Sequence, residues 1–287
     1  MIYLFASILC SGSLGIFFKF FEKRNLSSQS AIFFNYLTCL VIGIGLNFRS
    51  LQSIQYENWM IYTFLLGLIF IVTLALMAKA TRKSGITSMV VSNKMSLVLP
   101  VCFGLLVLKE PVHWITFLGI GLCLTSLLMV TYRKENHKNK IMFWLLFGVF
   151  LLSGTIDIGI AFLEDKYFGE SSNFMIPTLF IFGSAVFWGI PNTIKTWHSN
   201  NETRKANIFW GILLGFPNFF SIFFLFKCLH DAPFPSSVVF PINNMGVIFI
   251  GFLASLAFKE KLNKINYLGV LLALCAIAIL SLSKSSV

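Results

Sequence analysis

The chain has 287 residues, of which 57% are hydrophobic and only 11% are charged. Because about a quarter of the residues in a soluble domain are charged, this composition excludes an ordinary soluble protein. The net charge of +11 does not indicate a nucleic-acid partner, because the basic residues are dispersed in short connections between apolar runs and form no basic patch or nucleic-acid-binding motif.

Apolar runs of about 20 residues follow one another along the whole chain, and each is long enough to cross a hydrocarbon core of about 30 Å as a helix. The sequence therefore predicts an all-α integral membrane protein with ten transmembrane helices. The connections are too short to contain a soluble domain, and the first run is expected to remain as a span. In chain order, the predicted spans cover residues 2–20, 30–47, 59–78, 85–108, 113–132, 141–163, 173–194, 207–227, 234–258 and 265–283.

The basic residues are distributed unequally between the two sides of these spans. The connections 1–2, 3–4, 5–6, 7–8 and 9–10, together with the span ends next to them, contain 16 of the 22 lysines and arginines, five lie on the opposite side, and Lys94 lies inside predicted span 4. By the positive-inside rule, the side with 16 basic residues faces the cytoplasm and both termini lie outside. We expect the protein in the bacterial cytoplasmic (inner) membrane.

The sequence contains an internal repeat. Residues 93–124 align with residues 243–274 at a shift of 150, with ten of 32 positions identical, and residues 9–16 resemble residues 151–158. Two halves of five spans follow, residues 1–136 and 137–287, and an odd number of spans per half predicts that the halves insert with opposite orientation, as in many secondary transporters. Because leucines match easily, the alignment depends on Asn93 with Asn243, Lys109-Glu110 with Lys259-Glu260, and Gly119 with Gly269.

This arrangement resembles the EamA-like branch of the drug/metabolite transporter superfamily. Each half has a Lys-Glu pair after its fourth span and a glycine in its fifth, and the first span contains Ser11-Gly12-Ser13. The tryptophan that many members carry before the first-span glycine is absent. The resemblance implies a ten-helix bundle with a central cavity that moves solutes by alternating access. Many ten-span relatives are drawn with both termini inside, whereas the charge distribution here places them outside.

Lys94 is the ionisable residue deepest in an apolar run. At 1.5 Å per residue it lies about 14 Å from Gly85, close to the bilayer middle. A charge at this depth costs a few kcal/mol and is expected to face a wet cavity or a partner. Lys94 is therefore interpreted either as a contact for an acidic group of the substrate or as part of an internal ion pair or helix-carbonyl contact.

Asp157, in predicted span 6, is the one clearly intramembrane acid of the sequence. Helix geometry places it about 10 Å from Lys94 along the membrane normal, so a direct ion pair is one possibility. Binding of a coupling proton, which intramembrane carboxylates provide in pumps and transporters, is the other.

Several uncharged residues complete the predicted site. Asn93, Asn243 and Asn244 offer donors and acceptors for a polar substrate, although each could instead join helices by hydrogen bonds. Pro100 and Pro241 are predicted helix breaks or hinges, because proline removes a backbone donor. The Lys109-Glu110 and Lys259-Glu260 pairs are interpreted as end anchors or gate contacts rather than substrate ligands.

The sequence favours a secondary transporter of a small polar metabolite, an amino acid or an organic anion, driven by proton coupling or exchange. The alternative is a multidrug exporter of cationic or amphipathic compounds. Catalytic and nucleotide-binding motifs are absent, so neither an enzyme nor direct ATP coupling is expected. We predict no cofactor and no metal; the expected partners are the small-molecule substrate and the lipid bilayer, in a monomer or a homodimer.

The orientation can be tested with single cysteines in a cysteine-free background, labelled in intact cells by an impermeant maleimide. The basic asymmetry predicts labelling at position 170, in the 6–7 connection, and none at position 201. Labelling at position 201 without labelling at position 170 would reverse the orientation.

Overall fold

The computed structural model of the protein describes residues 2–24, 26, 28–51, 58–106, 114–132, 139–163, 166–167, 175–196, 201–231 and 236–285. Within these residues the regular structure is helical, and every predicted span overlaps one helix, with span 4 shared between two. The helices are α1 (Ile2–Lys23), α2 (Ser28–Leu51), α3 (Trp59–Ser84), α4 (Ile86–Met95), α5 (Val98–Leu106), α6 (Trp114–Thr131), α7 (Asn139–Leu163), α8 (Met175–Thr196), α9 (Asn201–Asp231), α10 (Ser236–Ala257) and α11 (Lys264–Ser285).

The lengths and surfaces of these helices suit a bilayer. Seven helical segments of the described chain are long and apolar enough to span a membrane, and three apolar segments are shorter, namely Phe117–Val130, Ile242–Ala257 and Lys264–Ile279. Large apolar side chains are exposed along the bundle, for example Val41, Leu65, Leu128 and Ile194. A soluble monomer rarely exposes so much contiguous apolar surface, so this surface is expected to contact lipid.

Helices from the first half of the chain pack mainly against helices from the second half. α6 packs on α11, α2 on α8 and α9, α3 on α7 and α8, and α1 on α9 and α10, whereas α4 lies between α7 and α10. Small residues allow these close approaches. A Cβ atom at Gly211 of α9 would lie 2.5 Å from the carbonyl oxygen of Ala31 in α2, and one at Gly215 would lie 2.8 Å from that of Asn35.

One end of the bundle, which we call the basic face, contains the ends of α1, α3 and α6 and the beginnings of α4, α9 and α11. Side-chain contacts join these ends: Arg82 donates to the carbonyl oxygen of Leu26, Arg24 lies 5.2 Å from the ring of Trp210, and the amide of Asn266 donates to the carbonyl oxygens of Met129 and Val130 at 3.1 Å. Helix ends that adjoin the connections assigned to the basic side therefore meet at one face. The opposite end is called the far face.

The apolar core is continuous at the basic face and through the middle of the bundle, where it includes residues of every helix from α1 to α11. Toward the far face it gives way to two separate clusters. One joins α3, α7 and α8 through Trp59, Leu163 and Ile181, and the other joins α1, α9 and α10 through Leu4, Cys228 and Val239. In the described residues, the bundle is therefore joined less tightly at the far face than at the basic face.

The two predicted helix breaks behave differently. Between α4 and α5 the helix is interrupted at Ser96–Leu97, four and three residues before Pro100, because a proline ring clashes with the carbonyl four residues earlier and supplies no N–H group. The carbonyl of Ser96 instead accepts from Leu99 at 2.8 Å. By contrast, α10 continues through Pro241, so the expected break is absent there. Only about one turn of α10 precedes Pro241, and proline is tolerated near a helix N-terminus.

The α2–α9 contact yields a stability prediction. Gly211→Ala should place a methyl group against the backbone of α2, force the helices apart and lower the free energy of unfolding by about 1–3 kcal/mol. Gly121→Ala is the matched control, since a Cβ atom there would meet no atom within 4 Å. Thermal unfolding in detergent measures both variants, and equal stability of the two would contradict the close packing.

Candidate functional site

The short helix α4 and the longer helix α7 bring the central polar residues together. α4 contributes Asn93 and Lys94 in its last turn, immediately before the break, and α7 contributes Ser153 and Asp157 one turn apart on one side. Lys94 is half-buried and Asp157 is exposed, although both lie well within apolar helices. A lipid-facing charge would be costly at this depth, so we expect the carboxylate of Asp157 to face a water-filled space between the helices.

The charges of Lys94 and Asp157 attract each other, but the two described groups form no ion pair within 4.0 Å. The hydroxyl of Ser96, in the helix break, lies 3.2 Å from Asp157 Oδ2 and also lies within hydrogen-bond distance of the carbonyl oxygen of Asn93. The break between α4 and α5 therefore contacts the carboxylate of Asp157, while the amine of Lys94 forms no direct ion pair with that carboxylate.

Asn93 belongs to the same group of residues. Its amide nitrogen donates to Ser153 Oγ at 2.8 Å and lies 4.0 Å from the sulfur of Met77 in α3. The asparagine therefore ties the end of α4 to α7 and α3. We call Asn93, Lys94, Ser96, Ser153 and Asp157 the central polar cluster.

Asn243 lies in a second polar group, formed by α1, α9 and α10. The hydroxyl of Ser7 in α1 lies 2.8 Å from the carbonyl oxygen of Ser221 in α9 and 3.2 Å from Asn243 Oδ1. Asn243 is buried, whereas its neighbour Asn244 is half-buried and its amide makes no hydrogen bond within the described chain. No hydrogen bond joins this group to the central polar cluster in that part of the chain, so the structure divides the four predicted substrate contacts between two groups.

The central polar cluster lies where the continuous core ends. Leu163, six residues beyond Asp157 on α7, belongs to the far-face cluster of α3, α7 and α8, and six residues of helix span about 9 Å. Ser7 is similarly close to Leu4, which belongs to the far-face cluster of α1, α9 and α10. The two polar groups therefore lie at the inner end of the region in which the two far-face clusters separate.

Sequence reasoning missed the serines that position the predicted residues: Ser7, Ser96, Ser153 and Ser221. Serine is common in transmembrane helices, where its hydroxyl often bonds to the preceding turn, so its presence alone carries little information. The one available signal was proximity: Ser96 follows Lys94 by two residues, and Ser153 precedes Asp157 by four.

Other features of the described chain lie apart from these groups. A groove of about 480 Å³ between α2, α3 and α8 lies toward the basic face, and its polar lining includes Gln29, Lys79, Arg82 and Asn192. No set of three histidine, cysteine, aspartate or glutamate side chains in the described residues could hold a metal ion. The groove shares no residue with either polar group.

Comparison with known proteins gives three findings. The chain matches the EamA-like transporter family over residues 1–132 and again over residues 139–282. An uncharacterized protein of Haemophilus influenzae is 28% identical over a 279-residue alignment, and the match covers 94% of this chain and 94% of the other. A crystal structure superposes with a TM-score of 0.63 at 9% identity, covering 99% of this chain and 98% of the other, and this likeness concerns the fold alone.

Proposed function

Because the chain belongs to the EamA-like transporter family, within the drug/metabolite transporter superfamily, we propose that it is a secondary transporter of a small polar metabolite in the bacterial cytoplasmic (inner) membrane. The observation that carries the proposal is the placement of Lys94 and Asp157 in one polar cluster inside the bundle, where Ser96 contacts the carboxylate and no ion pair within 4.0 Å joins the two charged groups. Intramembrane charges of this kind mark substrate or ion pathways.

The chemistry of the central polar cluster favours an amino acid or an organic anion. An ammonium in a partly desolvated cavity attracts a carboxylate strongly, because Coulomb attraction rises as the effective dielectric constant falls. A zwitterionic amino acid would satisfy both charges, with its carboxylate at Lys94 and its ammonium at Asp157. An organic anion would use Lys94 and leave Asp157 free to bind a coupling proton. The amides of Asn93, Asn243 and Asn244 would contribute polar contacts.

We further propose that the ten spans form two inverted repeats, and three pairs of contacts support this arrangement. Asn93 of the first half bonds to Ser153 of α7, whereas Asn243, its partner in the repeat, bonds to Ser7 of α1. Each asparagine thus contacts a serine on the first helix of the opposite half. Gly154 of α7 likewise packs on Leu99, as Gly12 of α1 packs on Ile250, and α3 packs on α8 as α9 packs on α2.

Alternating access requires that such a bundle open on one side at a time. The separated far-face clusters and the continuous core at the basic face support assignment of this conformation to the state that is open at the far face. With the orientation expected from the basic residues, that side is outside the cell. The packing also differs between the halves in the described residues. In the first half α1 packs on α3 and α4, whereas in the second half α7, the equivalent of α1, shows no comparable packing on α9 and α10.

The alternative function is a multidrug exporter of cationic or amphipathic compounds, which the exposed carboxylate of Asp157 favours. A thermal-shift screen of the purified protein distinguishes the two, because a ligand that binds the folded state stabilises it. The screen should include amino acids, organic acids, nucleosides and cationic drugs. Stabilisation by anionic or zwitterionic compounds supports the proposal, stabilisation by cationic drugs alone supports the exporter, and stabilisation by none would contradict a ligand-binding cavity.

Lys94→Met tests the cationic contact. It keeps an unbranched side chain and removes the charge, so the protein should fold but bind an acidic ligand at least about tenfold more weakly, equivalent to about 1.4 kcal/mol. Lys94→Arg should be intermediate, since it keeps the charge and changes the shape. Lys79→Met, on the exposed part of α3, is the matched control. Unchanged affinity in a Lys94→Met protein of normal thermal stability would leave Lys94 a structural cation.

Asp157→Asn separates proton coupling from charge pairing. If Asp157 carries a coupling proton, the variant should lose gradient-driven accumulation in proteoliposomes while it retains substrate binding and counterflow exchange. Glu22→Gln, which removes a carboxylate at the basic face, should retain both activities. If the Asp157→Asn protein no longer inserts stably, the carboxylate instead has a structural role, which is to neutralise the charge of Lys94.

A further inference from the structure

A carboxylate from the second half of the chain caps the helix that carries the central charge. Glu260 lies in the turn after α10, and its two oxygens accept from the backbone N–H of Ile86 at 2.9 and 3.2 Å. Ile86 is the first residue of α4, where backbone N–H groups have no acceptor within the helix and a negative charge is favourable. The start of α4, and with it the position of Lys94, is thus tied to the end of α10.

The same carboxylate is bound by α1. Lys19 Nζ lies 3.3 Å from Glu260 Oε1 and 2.7 Å from Glu22 Oε2. The side chains of Lys19 and Glu260 are only 16% and 9% exposed, so solvent screens this ion pair much less than a surface pair. Lys23, one turn further along α1, lies 4.7 Å from the ring of Phe258 in the turn that carries Glu260. Three elements, α1, α4 and the turn after α10, therefore meet at one carboxylate.

The backbone on both sides of this contact adopts an unusual conformation. Among the described residues, Gly85 and Lys259 are the two with left-handed φ, at 88° and 56°. A Cβ atom at Gly85 would lie 2.5 Å from Glu260 Oε2, so the carboxylate can approach only because the residue is glycine. Lys259, two residues after the end of α10, has a conformation that glycine normally adopts after a helix. Strained positions of this kind persist where the surrounding structure holds them, and they cluster at switching sites.

We propose that Glu260 is the latch that closes the basic face, by holding the start of α4 and Lys19 against the end of α10. This inference rests on the proposed transport by alternating access, in which the basic face must open in turn. Between Glu260 and the middle of the bundle, α4 and α10 cross in close contact. Thr87 is hydrogen-bonded to Ser255, and Gly251 packs against Val90. Opening the basic face separates these helices, and the bonds from Glu260 to Ile86 and Lys19 must break first.

Cysteine accessibility in purified, detergent-solubilised protein tests the latch. Ser255 is 0% exposed, and Ser255→Cys in a background without the six native cysteines reports opening of the α4–α10 crossing. Labelling of this cysteine by N-ethylmaleimide should be slow when Glu260 is present and roughly tenfold faster with Glu260→Gln, because the open conformer gains population. Lys19→Gln and Gly85→Ala, which remove the partner charge and obstruct the carboxylate, should accelerate labelling in the same direction.

Two controls separate a latch from general loosening. Glu22→Gln removes a carboxylate that contacts the same lysine but does not reach α4, so it should leave the labelling rate at Ser255→Cys unchanged. Cys39, which is 0% exposed in the core between α2 and α9, is kept as the single cysteine in a parallel set, and Glu260→Gln should not change its rate.

The outcomes decide the inference. Equal labelling rates of Ser255→Cys with and without the Glu260→Gln substitution would overturn the latch, and so would faster labelling of both reporters, which would indicate loss of overall stability. Since the measurement needs no substrate, a failed ligand screen with a positive labelling result would reject the proposed function and retain the latch as a conformational device. A positive screen with equal labelling rates would do the reverse.

Discussion

In a bilayer, every backbone N–H and carbonyl group needs a partner within the protein, because lipid offers none. The fourth predicted span meets this requirement with side chains at its two irregular points. Its N-terminal donor at Ile86 is satisfied by the carboxylate of Glu260, and the interruption after Met95 is bridged by Ser96, which also contacts Asp157. Both irregular points of the span therefore contact a carboxylate from the second half of the chain, and the packing of α4 depends on them.

Most of the helix packing joins a helix of one half of the chain to a helix of the other half. Close contacts through glycine join α9 to α2 and α1 to α10, and polar contacts join α4 to α7 and α10 to α1. A bundle built from such contacts between halves can change its shape by moving one half against the other. Each of the two far-face clusters contains helices of both halves, so a movement of one half against the other would rearrange both clusters.

Much of this architecture follows from the sequence, because apolar length and a lone charge in an apolar run are strong signals. Hydropathy located the helices, depth alone singled out Lys94 and Asp157, and Pro100 marked the break that follows Lys94. Local signals failed where the outcome depends on distant partners. Nothing near Pro241 in the sequence indicates that α10 continues through it, and the serines that hold Asn93 and Asn243 lie on helices of the opposite half. The Lys-Glu repeat indicated that Glu260 matters, but only the fold shows that its carboxylate reaches α4.

The two ends of α4 give the molecule a direct connection between its centre and its basic face. A ten-residue helix is a stiff rod of about 15 Å, so a displacement at Lys94 must be matched by a displacement at Ile86 unless the helix bends. The break at Ser96–Leu97 frees the central end of this rod from α5, while Glu260, which is paired with Lys19, holds the other end. A ligand that changed the balance between Lys94 and Asp157 would therefore act on the latch through one rigid element. Its influence on the latch would equal its difference in affinity for the two positions of α4, which is the quantity that any coupling between substrate and gate must supply.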